Sequence, residues 1–316
     1  MATIRVYRFD PDAAKEAHYD TWDLDVKPGE TVLDLLHQIH YFQDPTLSFR
    51  RSCRSAICGS CGMNINGRTG LSCNTQAKPL IDRDGSLTVE PMKNMPVLKD
   101  LVADMDGFWK AVYDVRPFLQ PGQAPKGPYL VPKHRMDLLK IAQDCIMCGS
   151  CLSECTSREA NPDYLGPAAL AKAYRFVEDA RDAATVERLR QYSEPNGIWD
   201  CDTCLYCNEV CPMGVKPMDA IMSMREKAIE AGIPSQGAKH ALAFYGTILE
   251  GGKLNEFKTA NKSLGLPGLI SQSPIAAKVV LHGKTPDLRK KPIKGIEDVR
   301  KLTALVERNH RKGAAK

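Results

Sequence analysis

The 316 residues carry 43 Lys and Arg against 38 Asp and Glu, a net charge of +5, with 43% hydrophobic residues and 12 cysteines. No run reaches the roughly 18 consecutive apolar residues that cross a bilayer, and residues 1–7 hold no apolar signal core, so neither a membrane span nor a secretory leader is expected. Without a secretory signal, twelve thiols point to metal ligation rather than to disulfides. Residues 283–316 hold eleven basic and four acidic residues, so that tail carries +7 and the rest of the chain −2. A slightly acidic body argues against a nucleic-acid-binding one.

In chain order, residues 3–9 and 21–26 read as strands, and Pro28-Gly29 is a turn before a helix over 31–42 in which Leu33, Leu36, His37 and His40 recur at helical spacing. Asn66-Gly67 marks a hairpin turn, and residues 86–90 a further short strand. Pro117, Pro121, Pro125, Pro128 and Pro132 make residues 116–133 an ordered connector, because their composition can continue neither a helix nor a central strand. Helices are expected over 134–143, 167–182, 184–191, 216–231, 236–249 and 296–310, with a Gly, Pro and Ser loop at 264–274. The fold class is therefore α+β. The expected divisions are 1–115 (mixed), 116–133 (connector), 134–232 (helical) and 233–316 (C-terminal extension with a basic tail).

Cys53, Cys58 and Cys61, followed by Cys73 after eleven residues, have the plant-type ferredoxin spacing that holds a [2Fe-2S] cluster. Small residues around them let backbone amides approach the sulfurs. Further on, Cys145-x2-Cys148-x2-Cys151-x3-Cys155 recurs as Cys201-x2-Cys204-x2-Cys207-x3-Cys211. Three thiolates spaced by two wrap one face of a cubane, and the fourth points to a second cluster. Crossing the fourth ligands assigns Cys145, Cys148, Cys151 and Cys211 to one [4Fe-4S] cluster, and Cys155, Cys201, Cys204 and Cys207 to another. Pro212 follows Cys211 as that pattern expects, whereas Thr156 follows Cys155. Structural zinc is the competing use of four thiolates, but zinc ribbons offer two separated Cys-x2-Cys pairs, which these runs do not. There is no dinucleotide fingerprint, phosphate loop or H-E-x-x-H, so the organic substrate is expected on a partner. No catalytic residue is assigned.

A plant-type cluster segment followed by a helical two-cluster segment, with Ser52-Cys53-Arg54, Cys58-Gly59-Ser60-Cys61, Cys145-Ile146-Met147-Cys148-Gly149, Gly166-Pro167-Ala168 and Ala173-Tyr174-Arg175-Phe176, resembles the iron-sulfur subunit of succinate dehydrogenase and fumarate reductase. The resemblance covers roughly residues 1–232. It implies an N-terminal β-grasp ferredoxin domain and an all-α two-cluster domain, relaying electrons from the FAD of a flavoprotein partner to a membrane-associated quinone-reactive subunit. It also implies a peripheral place on the cytoplasmic side of the inner (plasma) membrane. Iron-sulfur subunits serving glycolate-oxidase or heterodisulfide-reductase type flavoproteins are the alternative.

Three departures stand out. Most members lack a cysteine at the position of Cys204 and hold [3Fe-4S] there, so [4Fe-4S] is expected here and [3Fe-4S] is the alternative. Where many quinone-reactive relatives have proline and tryptophans after the equivalent of Cys155, and histidine after that of Cys201, this chain has Thr156 to Ala160 and Asp202. The chain also runs 85 residues beyond Ala231, which resembles the subgroup whose electron-accepting subunit is cysteine-rich and lacks haem. Ala56 stands where glycine is usual. His37 and His40 are expected as packed or surface histidines, Trp199 as packing, and Arg54 and Arg68 as charges beside the [2Fe-2S] loop. Arg289, Lys290, Lys291 and Lys294 are expected as a solvated tail or a contact for anionic lipid or an acidic surface.

Overall fold

The computed structural model describes residues 1–13, 16–123, 125–284 and 291–314. They form two compact units, Met1–Ala231 and Gly232–Lys316.

In the first unit, strand alternation builds a five-stranded sheet. Ile4 and Val6 of β1 (Ala2–Arg8) face inward while Thr3 and Arg5 face solvent, the period-2 pattern of a half-buried strand. β1 pairs antiparallel with β2 (His18–Leu24) and parallel with β5 (Leu87–Glu90). The hairpin of β3 (Gly62–Ile65) and β4 (Arg68–Leu71) completes the order β2-β1-β5-β3-β4. Its turn residues, Asn66 and Gly67, both have positive φ, at 48° and 82°, which suits the right-handed twist of the flanking strands. β2 begins three residues before the expected strand, extended by its pairing with β1.

Helix α1 (Val32–Phe42) starts at Thr31, which forms a reciprocal capping box with Asp34. Its Val32, Leu35, Leu36 and Ile39 bury against the sheet. His37 and His40 pack against Phe49 and Tyr41, so they are packed histidines. Buried Arg8 binds Asp20, Asp44 and Asp100, tying the sheet to the β6 (Val97–Lys99) and β7 (Val102–Ala103) ribbon. Two helices beyond those expected, α2 (Ala77–Asp84) and α3 (Asp106–Asp114), complete this half.

The connector is pinned at its start. Arg188 is fully buried, pairs with Asp182 and donates to the carbonyls of Val115, Arg116 and Phe118, while Ala183 donates to the Gln120 carbonyl. Beyond it come α4 (Lys133–Gln143), the short α5 (Ser150–Ser153) and α6 (Thr156–Ala160), α7 (Pro167–Glu178), α8 (Thr185–Tyr192), the short α9 (Tyr206–Glu209) and α10 (Pro217–Glu230). α7 is central: its Ala168, Ala169, Leu170, Ala171 and Phe176 are buried, and it packs on α3, α4, α8 and α10. It ends before residue 182 because Asp179, bound by Arg181, leaves the helix in an extended conformation.

The second unit holds α11 (Gln236–Gly251), α12 (Glu256–Ser271), α13 (Ser273–Leu281) and α14 (Ile296–Ala314). α11 is closed by Gly252 at φ 73°, where a Cβ would lie 2.3 Å from Ile293 Cγ1; only glycine fits. Arg300 of α14 donates to the Leu249 and Glu250 carbonyls at its end. The loop expected at 264–274 is instead helical. Gly265 breaks the helix at φ 64°, ψ −176°, and Pro267 and Pro274 sit near new helix starts, where proline's missing N–H costs nothing. Among the described residues no single helix is long and apolar enough to cross a membrane, although α12 and α13 together, bent by 90°, reach the needed length and composition. Of the basic tail residues, Arg289 and Lys290 lie outside the described residues, while Lys291 and Lys294 are exposed.

Candidate functional site

The N-terminal loop is shaped around sulfur. Three amides, those of Ser55, Ile57 and Cys58, point at Cys53 Sγ at 3.3–3.4 Å, and the Ala56 amide points at Cys73 Sγ at 3.4 Å. Such donors favour negative charge on sulfur. To aim them, Arg54 and Ala56 adopt φ of 57° and 56°, a left-handed conformation that costs a residue with a Cβ about 1–2 kcal/mol. That is the physical reason a glycine suits position 56. The Ser60 hydroxyl, with the Cys53 and Ser60 amides, brings Cys58 down to about 6, while burial beside Cys61 pushes Cys73 up to about 11. The Arg68 guanidinium donates to the Glu209 carbonyl, far along the chain.

The first helical run lies directly against this loop. Gly59, at φ 73°, has no room for a side chain: a Cβ would lie 2.9 Å from both Cα and Cβ of Cys148. Gly62 is nearly as close, 3.1 Å from the Cys148 carbonyl by the same measure. Glu154 accepts from the Thr69 amide and hydroxyl, and the Asn94 amide group donates to the carbonyls of Leu152, Ser153 and Cys155. These contacts lock the sheet half to the cysteine-bearing turns.

Cys145, Cys148, Cys151 and Cys211 line one cavity whose other walls include Ala168, Ala171, Met147, Met213 and Val215. The fourth cysteine of the second run thus faces the first three of the first. Cys155, by contrast, has Cys201 and Cys204 as charged neighbours, and Cys207 has Cys201, Cys155 and Cys204. Burial raises Cys145, Cys148 and Cys151, pushes Cys155 up to about 11 and Cys207 up to about 12, and also raises Cys201. Thiols so disfavoured as bare thiolates need positive charge beside them to ionise, which iron would supply. Among the described residues no three Cys, His, Asp or Glu converge closely enough to hold a single metal ion. Four thiols around an apolar space fit a multi-atom cluster.

The two runs also repeat in backbone conformation. Met147 and Thr203 have φ of 57° and 61°, and Gly149 and Leu205 have φ of 80° and 72°, each pair preceding a single helical turn, α5 or α9. Their surroundings differ. Around the second run, Thr156 donates to Asp202, whose carboxylate also accepts from the Cys204 amide, while the Asp202 amide donates to Ser157 Oγ. Burial opposes ionisation of Asp202, but these donors hold its carboxyl below the usual range. Arg225 donates to the Cys201 carbonyl and stacks on Trp199, so Trp199 is packing. Sequence reasoning missed the Gly59–Cys148 approach, Leu205 and buried Tyr164; only the glycines carried a signal for the first.

A family model for a 2Fe-2S iron-sulfur cluster binding domain matches residues 3–110, and one for a 4Fe-4S dicluster domain matches residues 141–215. The chain is 39% identical over 235 residues to the mitochondrial succinate dehydrogenase [ubiquinone] iron-sulfur subunit 1 of Oryza sativa subsp. japonica, covering 72% of this chain and 83% of that one. It is 40% identical over 230 residues to the succinate dehydrogenase iron-sulfur subunit of Paracoccus denitrificans, covering 72% and 88%. A chain of the Mycobacterium smegmatis Sdh1 complex in the apo form is similar in structure, with a TM-score of 0.64 and 28% identity, over 72% of this chain and 95% of that one.

Proposed function

The chain belongs to the family of succinate dehydrogenase iron-sulfur subunits, and from that premise we propose which residues carry its electron-transfer role. Cys53, Cys58, Cys61 and Cys73 hold [2Fe-2S]; Cys145, Cys148, Cys151 and Cys211 hold one [4Fe-4S]; Cys155, Cys201, Cys204 and Cys207 hold a second [4Fe-4S], with [3Fe-4S] as the alternative. When bound, these centres supply one-electron transfer between a two-electron flavin reaction and an acceptor elsewhere. The observation that carries the assignment is Cys211 facing Cys145, Cys148 and Cys151 across one cavity.

The protein's own work is spacing and electrostatics. Gly59 lets the first loop touch the Cys148 backbone, so the first two sites are held close without an intervening side chain. Amides around Cys53 and Cys73 offset charge on those sulfurs, and burial of Cys151 disfavours its bare thiolate.

Residues 1–115, in β-grasp form, and residues 134–232 are the two cluster-bearing parts, joined by 116–133, and residues 233–316 form a helical extension. The partners are an FAD-containing flavoprotein and a membrane-anchor or cysteine-rich subunit that meets quinone. The complex sits peripherally on the cytoplasmic side of the inner (plasma) membrane. The polar stretch from Thr156 to Ala160, with Asp202, supports a transfer to another metal-bearing subunit rather than a quinone site walled by this chain.

Anaerobic purification of the intact complex tests this reading. A co-purifying flavin subunit, succinate-dependent dye reduction and EPR signals from one [2Fe-2S] and two cubane centres are expected. A complex lacking succinate-dependent activity, or one with zinc and no visible absorbance, overturns it.

A further inference from the structure

Tyr164 is 1% exposed, and among the described residues its hydroxyl is one of the buried polar atoms that make no hydrogen bond of full geometry. A buried hydroxyl without a well-made hydrogen bond is costly to keep, so a stronger acceptor than a neutral thiol is the natural account of it. The residue is not free to swing away. Its amide donates to the Asn161 carbonyl at 3.1 Å, its carbonyl accepts from Arg158, and the next amide, of Leu165, donates to the Asn196 carbonyl at 2.9 Å. The Asn161 and Asn196 side chains are themselves joined at 2.9 Å. Thiols stand among its neighbours: Cys201 is the one placed to accept from it, and Cys155 and Cys207 lie within electrostatic reach, as does the Arg225 guanidinium.

We propose that the Tyr164 hydroxyl donates a hydrogen bond to sulfur of the cluster held by Cys155, Cys201, Cys204 and Cys207, and so raises the reduction potential of that centre. The inference rests on the assignment of those four thiols to one cluster. Reduction adds negative charge that spreads onto the sulfurs, and a donor aimed at sulfur stabilises the reduced form more than the oxidised one. The donor acts from inside a dry wall, where an uncompensated dipole has its largest effect. It therefore works against the nearby carboxylate of Asp202, which favours the oxidised state.

The test is Tyr164→Phe in the intact complex, with each cluster titrated potentiometrically and followed by EPR. The expected result is about a tenfold loss in the equilibrium constant for reducing the distal cluster, about 59 mV for one electron, with the other two centres unmoved. An unchanged distal potential, or an equal shift in all three, overturns the inference. A second measurement does not depend on the variant folding. In the unsubstituted complex, ENDOR of the distal cluster in its paramagnetic state shows a coupled proton in H2O that is replaced in D2O, and absence of any such proton overturns the inference. If the unsubstituted complex shows no distal cluster at all, the ligand assignment fails and this inference with it. A present cluster insensitive to Tyr164 fails the inference alone.

Discussion

Residues 145–155 and 201–211 repeat one cysteine spacing and one pair of left-handed backbone positions, yet they sit in different surroundings. The first faces alanines and methionines. The second faces Asp202, Thr156, Arg225 and Tyr164. A local motif can dictate how thiols wrap a metal cluster, because ligand spacing and φ are properties of a few consecutive residues. The charge felt at the sulfurs is set by groups that arrive from elsewhere in the chain, so two copies of one motif can be tuned apart.

The hardest test of this comparison removes the fourth ligands one at a time. Cys211→Ala is expected to remove the cluster of the first run, about four irons, and Cys155→Ala that of the second, as read by iron analysis and EPR. The opposite pairing of losses would mean that each run closes on itself. Because thiolate ligation contributes to folding, both variants should also lower the thermal midpoint of the helical region. Cys204→Ile is a smaller break: the distal cluster should retain three ligated irons, and Mössbauer spectra of anaerobic protein should change from four-iron to three-iron. An unsubstituted complex that already shows three irons would end the argument for Cys204 as a ligand.

Asp202→Asn addresses the polar wall itself. Removing a carboxylate bonded to the Cys204 amide should favour the reduced distal cluster by about tenfold, about 59 mV for one electron, with the first-run cluster unchanged in the same titration. The smallest effect concerns the shared backbone. Leu205 holds φ 72° where the first run has Gly149, so Leu205→Gly should gain about 0.5–1 kcal/mol by relieving the Cβ. Denaturant midpoints of the two proteins measure it, and a loss of stability would mean that the Leu205 side chain packs usefully.

Much of this was legible in the chain because it is local. The Asn66-Gly67 hairpin follows from two residues that tolerate positive φ, α1 from Thr31, Asp34 and a helical apolar period, and the cysteine repeat from spacing alone. Where Gly and Pro were read only as helix breakers, residues 264–274 were misjudged, since a proline at the first turn of a helix starts it as readily as it ends one. Helix α3 does carry an apolar period, burying Phe108, Ala111 and Val112 on one face, but at nine residues it is too short for that period to stand out, and α2 buries only Ala77. Tyr164 gave no signal because an aromatic residue in a polar stretch reads as ordinary packing.

By itself, the sequence determined the number of thiols, their grouping into one loop and two matched runs, and the family to which the chain belongs. The grouping of Cys211 with Cys145, Cys148 and Cys151 was already legible in the spacing, whereas only the tertiary structure decided that Gly59 abuts Cys148 and that Tyr164 turns a buried hydroxyl toward Cys201. The physical reason is separation along the chain. Spacing constrains neighbours within a turn or two, whereas contacts between residues tens of positions apart exist only once sheet, connector and helices have packed.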